Sequence, residues 1–292
     1  MMTAVAVASV WTDGDPFNFT ELERACAPGQ HGATSQDLRG ARTPRLTTKP
    51  RTGRCSSVHK THLDTCHCEC VFIDVGMNSA RDFGALGEVV RHAQNTVSGA
   101  KLDALKKCID NSNTCYYGFE ANPYWTETLE AAESNALSKG ARARIFTGTA
   151  FNTHGGTTTF YVQPPGLENS QGSTLEATAH PSTKLNGSGW RWSKDWALTK
   201  YAHVSVSSTD AGEFLAAVAD GSSFVAIKID IEGFEYTLLP HLLSNSPAAL
   251  CAIDVAAFEW HERHNLKWRG YGAHLSCMLK HQMCGVDLVP WS

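Results

Sequence analysis

Five places along the chain set polar groups directly behind a greasy run. "CVFIDVGMN" places Asp74, Gly76 and Asn78 there, and "YYGFEANP" places Glu120 and Asn122. "RIFTGTAF" runs into Thr149, Ala150 and Phe151, "FVAIKIDIEG" into Asp230, Glu232 and Gly233, and "VAAFEWH" into Glu259 and His261. Taken singly, each has a plain structural reading as a solvated loop acid or as a helix cap, where the macrodipole favours acids. A core gives no reason for all of them together. Carboxylates take up protons, attract cations and accept hydrogen bonds from hydroxyl groups.

The greasy runs are short and rich in β-branched residues, so they read as buried strands. The segments between them carry helical spacing. In "SARDFGALGEVVRHA" (79–93), Phe83, Leu86, Val89 and Val90 fall on one side. Further helices are expected over 100–109, over 124–140 with Gly140 closing it, and near 270–283. "ARARIFTGTAF" alternates like one strand, and "ALCAIDVAAFEWH" (249–261) reads as another. Strand and helix alternate throughout, which predicts an α/β fold with a mostly parallel sheet and helices on both faces. In such sheets ligands sit beyond the carboxyl ends of the strands, where the polar clusters fall.

The chain has 292 residues, 42% of them hydrophobic, enough for one large domain with a small extension. Its net charge of −4 comes with no basic stripe, so nucleic acid is not an expected partner. The opening "MMTAVAVASV" is too short for a membrane span and lacks a basic flank, so neither a span nor a signal peptide is read there. A cytoplasmic setting is the default, and a secretory lumen the alternative if the N-terminus is truncated. Sequons at Asn18 and Asn186 and an even count of ten cysteines fit that alternative. Cys108 and Cys115 are near neighbours, as are Cys277 and Cys284. Residues 1–70 form an irregular extension, of which the first 54 are expected to be dispensable for the fold. Residues 71–292 form the domain. "CSSVHKTHLDTCHCEC" (55–70) is dense in Cys and His, and zinc, disulfides and free thiols are all open there, since paired C-x-x-C spacing is absent.

The type of ligand follows from the acids. A dinucleotide needs a Gly-rich loop and an acid-free helix N-terminus, and no G-x-G-x-x-G is present. S-adenosylmethionine carries a sulfonium cation, an ammonium and a ribose diol, and carboxylates suit all three. Glu120, at the end of the second strand, stands where a ribose clamp is expected.

"FIDVGMNSARDFG", "YGFEANPYWTETLEAAESN", "RIFTGTAFNTHGGTTTFYV" and "AIKIDIEGFEYTLLPHLL" resemble successive motifs of the FkbM-type methyltransferases. "NSQGSTL" (169–175) is similar to that family's Ser-rich stretch. The resemblance runs from about residue 71 to the C-terminus. It implies a Rossmann-like fold and S-adenosylmethionine-dependent methylation of a hydroxyl on a glycan or small metabolite, and it calls for no metal. Ala80 stands where the family usually has a second glycine. Asp74 and Glu120 are 46 positions apart (120 − 74) against about 20 in the simple unit, so residues near 94–113 are an insertion to be looped out.

On this reading Asp74, Gly76, Asn78, Glu120, Asn122, Thr149, Ala150 and Asp230 hold the cofactor. Glu232 is the candidate base, with His261 and Glu259 as rivals and Asp230 positioning cofactor or substrate. Lys228, inside its strand, faces away or meets an acid. Trp125, Trp190 and Trp192 are candidates for stacking on a sugar. The alternatives are a non-catalytic relative that binds S-adenosylmethionine or another ligand, and a nucleotide-dependent oxidoreductase.

Overall fold

The computed structural model describes residues 68–79, 84–97, 99–110, 113–163, 173–175, 183–184, 190–191, 201–221, 224–262, 270–282 and 286–291. The expectations for residues 1–67, Ala80, Trp192 and Cys284 therefore lie outside the described residues.

The strands are β1 (Cys70–Val75), β2 (Thr114–Glu120), β3 (Arg142–Thr147), β4 (Thr149–Asn152), β5 (Gly156–Val162), β6 (Thr183–Lys184), β7 (Trp190–Arg191), β8 (Ala202–Asp210), β9 (Phe224–Ile229), β10 (Val255–Glu259) and β11 (Asp287–Trp291). The helices are α1 (Ala85–Ala93), α2 (Gly99–Asp110), α3 (Thr126–Ser138), α4 (Ala211–Gly221), α5 (Glu235–Asn245), α6 (Pro247–Leu250) and α7 (Tyr271–Gln282). Six strands form one sheet in the order β11-β10-β9-β1-β2-β3, with every neighbouring pair parallel. The order reverses between β1 and β9, so the crevice of this doubly wound sheet opens at their carboxyl ends.

Period-two alternation divides the core. Val71, Ile73 and Val75 of β1 join Val225, Ile227 and Ile229 of β9 against Phe214 of α4, Leu238 of α5 and Leu275 of α7. Phe72 and Ala226 point the other way, against Val89 of α1, Leu105 of α2 and Leu129 of α3. Both faces are thus covered, and β1, β2 and β9 are buried along almost their whole length. That double burial accounts for their near-continuous apolar runs.

Two elements differ from the sequence reading. "ARARIFTGTAF" is two strands, because Gly148 takes φ +57° and passes the chain from the main sheet into a smaller one, β4-β8-β5. Residues 249–261 are not one strand. α6 and a turn occupy the first part, and only Val255–Glu259 pair in the sheet. The insertion near 94–113 is filled by α2, which packs Leu105 into the core.

α2 is also tied covalently. Cys70 bonds to Cys108, and Cys68 to Cys115, with Cα separations of 5.7 and 5.6 Å. Cys108 and Cys115 are therefore not partners of each other, and Cys68 and Cys70 are not thiolate ligands for zinc. The 38-residue bridge is nested inside the 47-residue one. Replacing Cys70 and Cys108 by serine should cost about 2–5 kcal/mol in denaturant unfolding. Replacing all four should cost less than twice that, since each bridge restricts a loop the other already shortens. An unfolding free energy unchanged in the four-fold variant would contradict this.

Candidate active site

At the carboxyl ends of β1 and β9 lies a cleft. Gly76 and Asn78 from the β1 turn line it, with Glu120 and Asn122 from β2 and Thr149, Ala150 and Phe151 from β4. Asp230, Ile231 and Glu232 line it from the β9 turn, and Phe160 and Ser173 close it from the smaller sheet side. Among the described residues its charged side chains are three carboxylates, with no Lys or Arg.

The turn after β1 fixes the first wall. Gly76 has φ +80°, and a Cβ there would stand 1.7 Å from the Asp230 carbonyl oxygen. Only glycine lets the β1 and β9 turns approach this closely. Asn78, with φ +56°, is of a residue type that tolerates the left-handed region. Its N–H donates to Glu120 Oε2 at 2.7 Å, while the Asn122 N–H donates to Oε1, also at 2.7 Å. Glu120 is thus locked at the cleft wall. Burial pushes its pKa up from 4.5 to about 7, against the two N–H donors and Lys228, which lower it. Asn122 caps the following turn through Oδ1 and reaches Ser173 through Nδ2.

The turn after β9 is more strained. Glu232 has φ +54°, followed by Gly233 at +101°. For a glutamate, the left-handed region costs roughly 1–2 kcal/mol. Glu235, fully buried at the start of α5, pins this turn. Its carboxylate accepts from the Ile231 N–H at 3.1 Å and the Gly233 N–H at 2.7 Å. It also meets His261 Nδ1 at 2.8 Å. A carboxylate only accepts, so Nδ1 carries the proton.

His261 Nε2 faces Glu232 at 3.5 Å, Asp230 at 3.7 Å and Glu259 at 3.7 Å. Burial by itself would lower the pKa of His261, but Glu235 and Glu232 raise it to about 10. Burial, with help from Asp230, raises Glu232 to about 8, while His261 opposes the rise. Burial, then the Glu232 charge, raises the Tyr201 phenol.

Asp74 stands apart. It is buried, accepts from the Tyr116 hydroxyl at 2.7 Å and pairs with Lys228 Nζ at 3.3 Å, and its side chain is not in the cleft lining. Lys228 sits opposite Asp74 in the β1–β9 register. It also reaches Asp230 at 3.2 Å and the Gly76 carbonyl at 2.7 Å. Burial would lower its pKa, but Asp74 and Asp230 raise it. Trp125 is a core residue packed near Leu129, not a cleft wall. The side chain of Trp190 lies outside the described residues.

The structure therefore gathers Gly76, Asn78, Glu120, Asn122, Thr149, Ala150, Asp230 and Glu232 around one cleft. Glu259 and His261 stand just behind Asp230 and Glu232. The motif description of the FkbM methyltransferase domain matches residues 74–284, more than two thirds of the chain. The chain belongs to the FkbM methyltransferase family. No curated protein and no solved structure matches it. The matched span of this FkbM methyltransferase takes in every residue of the cleft and the carboxylate–histidine group behind it. Among the described residues no helix is long and apolar enough to cross a membrane.

Sequence reasoning missed Glu235, Ser173 and Phe160. Glu235 carried a signal. It follows Glu232 by three residues and opens an apolar helix, so it sets a further acid beside the same turn. Ser173 lies in the stretch noted for its resemblance to the family. Phe160 carried none, since only the smaller sheet brings it to the cleft.

Proposed function

We propose that this methyltransferase uses S-adenosylmethionine and methylates a hydroxyl of a glycan or small metabolite. The observation that carries this reading is a cleft at the strand-order switch point whose charged lining, among the described residues, is carboxylate alone. That lining suits a cationic cofactor and repels the phosphates of a dinucleotide. The residues present fit the group: Glu120 offers a fixed carboxylate for a ribose diol, and Asp230 offers negative charge for an ammonium or sulfonium.

When bound, S-adenosylmethionine supplies an electrophilic methyl group on sulfur. The chain must align a hydroxyl with it and take the hydroxyl proton. Glu232, at the cleft wall, is the proton acceptor on this reading. Lys228 fixes Asp230 from behind, and Glu235 holds the turn that aims Glu232. The two nested disulfides favour an oxidising compartment over the cytoplasmic default.

Calorimetry with S-adenosylmethionine against NAD, followed by transfer of labelled methyl groups to glycan and metabolite hydroxyls, tests the proposal. Preference for NAD would overturn it, and binding without transfer to any hydroxyl would identify a non-catalytic relative.

Glu120 predicts a pH dependence. Its folded pKa lies above 4.5, so its contribution to stability is full below pH 4.5 and lost as pH rises through about 7. A ligand that hydrogen-bonds the ionised form offsets that loss. Cofactor affinity should therefore rise as pH passes through about 7 and level off above it. Lys228 and Asp230 are the charged side chains acting on Glu120, with opposite signs. Glu120→Gln should weaken binding by roughly 10-fold or more, the equivalent of about 1.5–3 kcal/mol, and flatten the profile. A pH-independent affinity in the parent protein would remove Glu120 from the cofactor site.

A further inference from the structure

We propose that Asp230, Glu259 and His261 form a divalent cation site directly behind the cleft, able to take a first-row ion between Mn²⁺ and Zn²⁺. One donor atom from each lies within 4.8 Å of the others. The contacts from His261 Nε2 to Asp230 and Glu259, both 3.7 Å, exceed the roughly 2.7–2.9 Å of a charge-assisted hydrogen bond. They are a few tenths of an ångström longer than the separation of donor atoms around a shared ion, about 3.0–3.4 Å for bonds near 2.1 Å, so the side chains close inward when an ion binds.

The surroundings supply what such a site needs. His261 is buried, and Glu235, outside the ligand set, holds Nδ1–H and so directs Nε2 at the carboxylates. Metal-binding histidines are oriented in this way by an outer carboxylate. Asp230 is divided between two tasks, with Oδ2 on Lys228 and Oδ1 towards His261. A mixed imidazole and carboxylate set suits Mn²⁺, Fe²⁺, Co²⁺ or Zn²⁺ better than an all-oxygen Mg²⁺ or Ca²⁺ cage. Binding displaces the Nε2 proton of His261 to solvent. Three protein ligands leave coordination positions open towards the cleft, where a substrate hydroxyl or vicinal diol can bind the ion. That use of the ion rests on the proposed methyl transfer, whereas the site itself does not.

The test is titration of the full chain with Co²⁺, followed by its visible ligand-field bands, and with Mn²⁺ by calorimetry, both without cofactor. The parent protein should take up an ion at a site lost in Glu259→Gln and in His261→Gln. Glu235→Gln should bind 10–100-fold more weakly. Thermal melts check that each variant is folded, and the two ligand variants carry the test if Glu235→Gln is not. Uptake unchanged in both ligand variants would place the ion elsewhere, at the His-rich 55–70 segment for example, and overturn the proposal. So would absence of uptake at millimolar ion. Neither result depends on methyl transfer, so failure of the cation site and failure of the functional reading are distinguishable.

Discussion

Lys228→Met should lower the unfolding free energy by about 3–5 kcal/mol, the cost of removing one partner from a buried ion pair. Lys228 is almost wholly buried inside β9 and touches Asp74, Asp230 and the Gly76 carbonyl. Methionine fills much of the same volume, so the loss is electrostatic. Asp74, 1% exposed, would keep only the Tyr116 hydroxyl and carry its charge in the core. Adding Asp74→Asn should recover much of the loss, because the amide needs no counter-charge. Denaturant unfolding of both variants decides the matter. A Lys228→Met loss below about 1 kcal/mol, with no recovery in the double variant, would mean the pair is not what stabilises the β1–β9 seam. The same geometry changes what Asp74→Ala is expected to do. It should destabilise the protein before it affects cofactor binding.

The fold was legible because its signals are local. Buried parallel strands read as apolar runs, and α1 and α3 read from their spacing. Where two elements abut across a single glycine or with no turn residue at all, the reading failed. Gly148 breaks "ARARIFTGTAF" within two residues, and "ALCAIDVAAFE" is apolar on both sides of the α6–β10 boundary, so periodicity cannot divide it. The cysteine pairing was not legible either. Closeness in sequence joins Cys108 to Cys115, but the parallel β1–β2 register sets Val71 beside Cys115 and brings Cys68 and Cys70 to the two sides of that strand pair.

For the site, the strand-end rule located the cleft but not the partners within it. Asp74 looked equal to Glu120 in sequence, yet it belongs to the face packed on α1–α3, where its register partner is a lysine. His261 looked like a lone histidine. Its meaning depends on β9 and β10 being neighbours, which brings four carboxylates around one ring. The sequence reading called for no metal because the family resemblance does not, and the proposed cation site rests on tertiary placement.

Glu232→Gln should bind S-adenosylmethionine about as well as the parent protein and transfer methyl groups about 10² to 10⁴ times more slowly. Gln keeps the length of the side chain and a hydrogen-bonding oxygen, and takes the same backbone path. It cannot accept a proton. The backbone supports this assignment independently of any motif. A glutamate at φ +54° next to a glycine is a costly choice where a second glycine would be free of strain. Glu232→Gly should therefore fold at least as stably as the parent, by up to about 1 kcal/mol, while losing transfer as completely as Gln does. Strain that is relieved at the expense of activity marks a residue kept for function. Asp230→Asn should behave differently, weakening cofactor affinity and rate together, since it both lines the cleft and pairs with Lys228. Single-turnover transfer beside cofactor affinity and unfolding free energy separates these cases. Full activity in Glu232→Gln would pass the proton to His261 or Glu259, and the activity of His261→Ala would then choose between them. A Glu232→Gly variant that is both less stable and inactive would mean that the turn needs the carboxylate for folding, and that the strain has a structural cause.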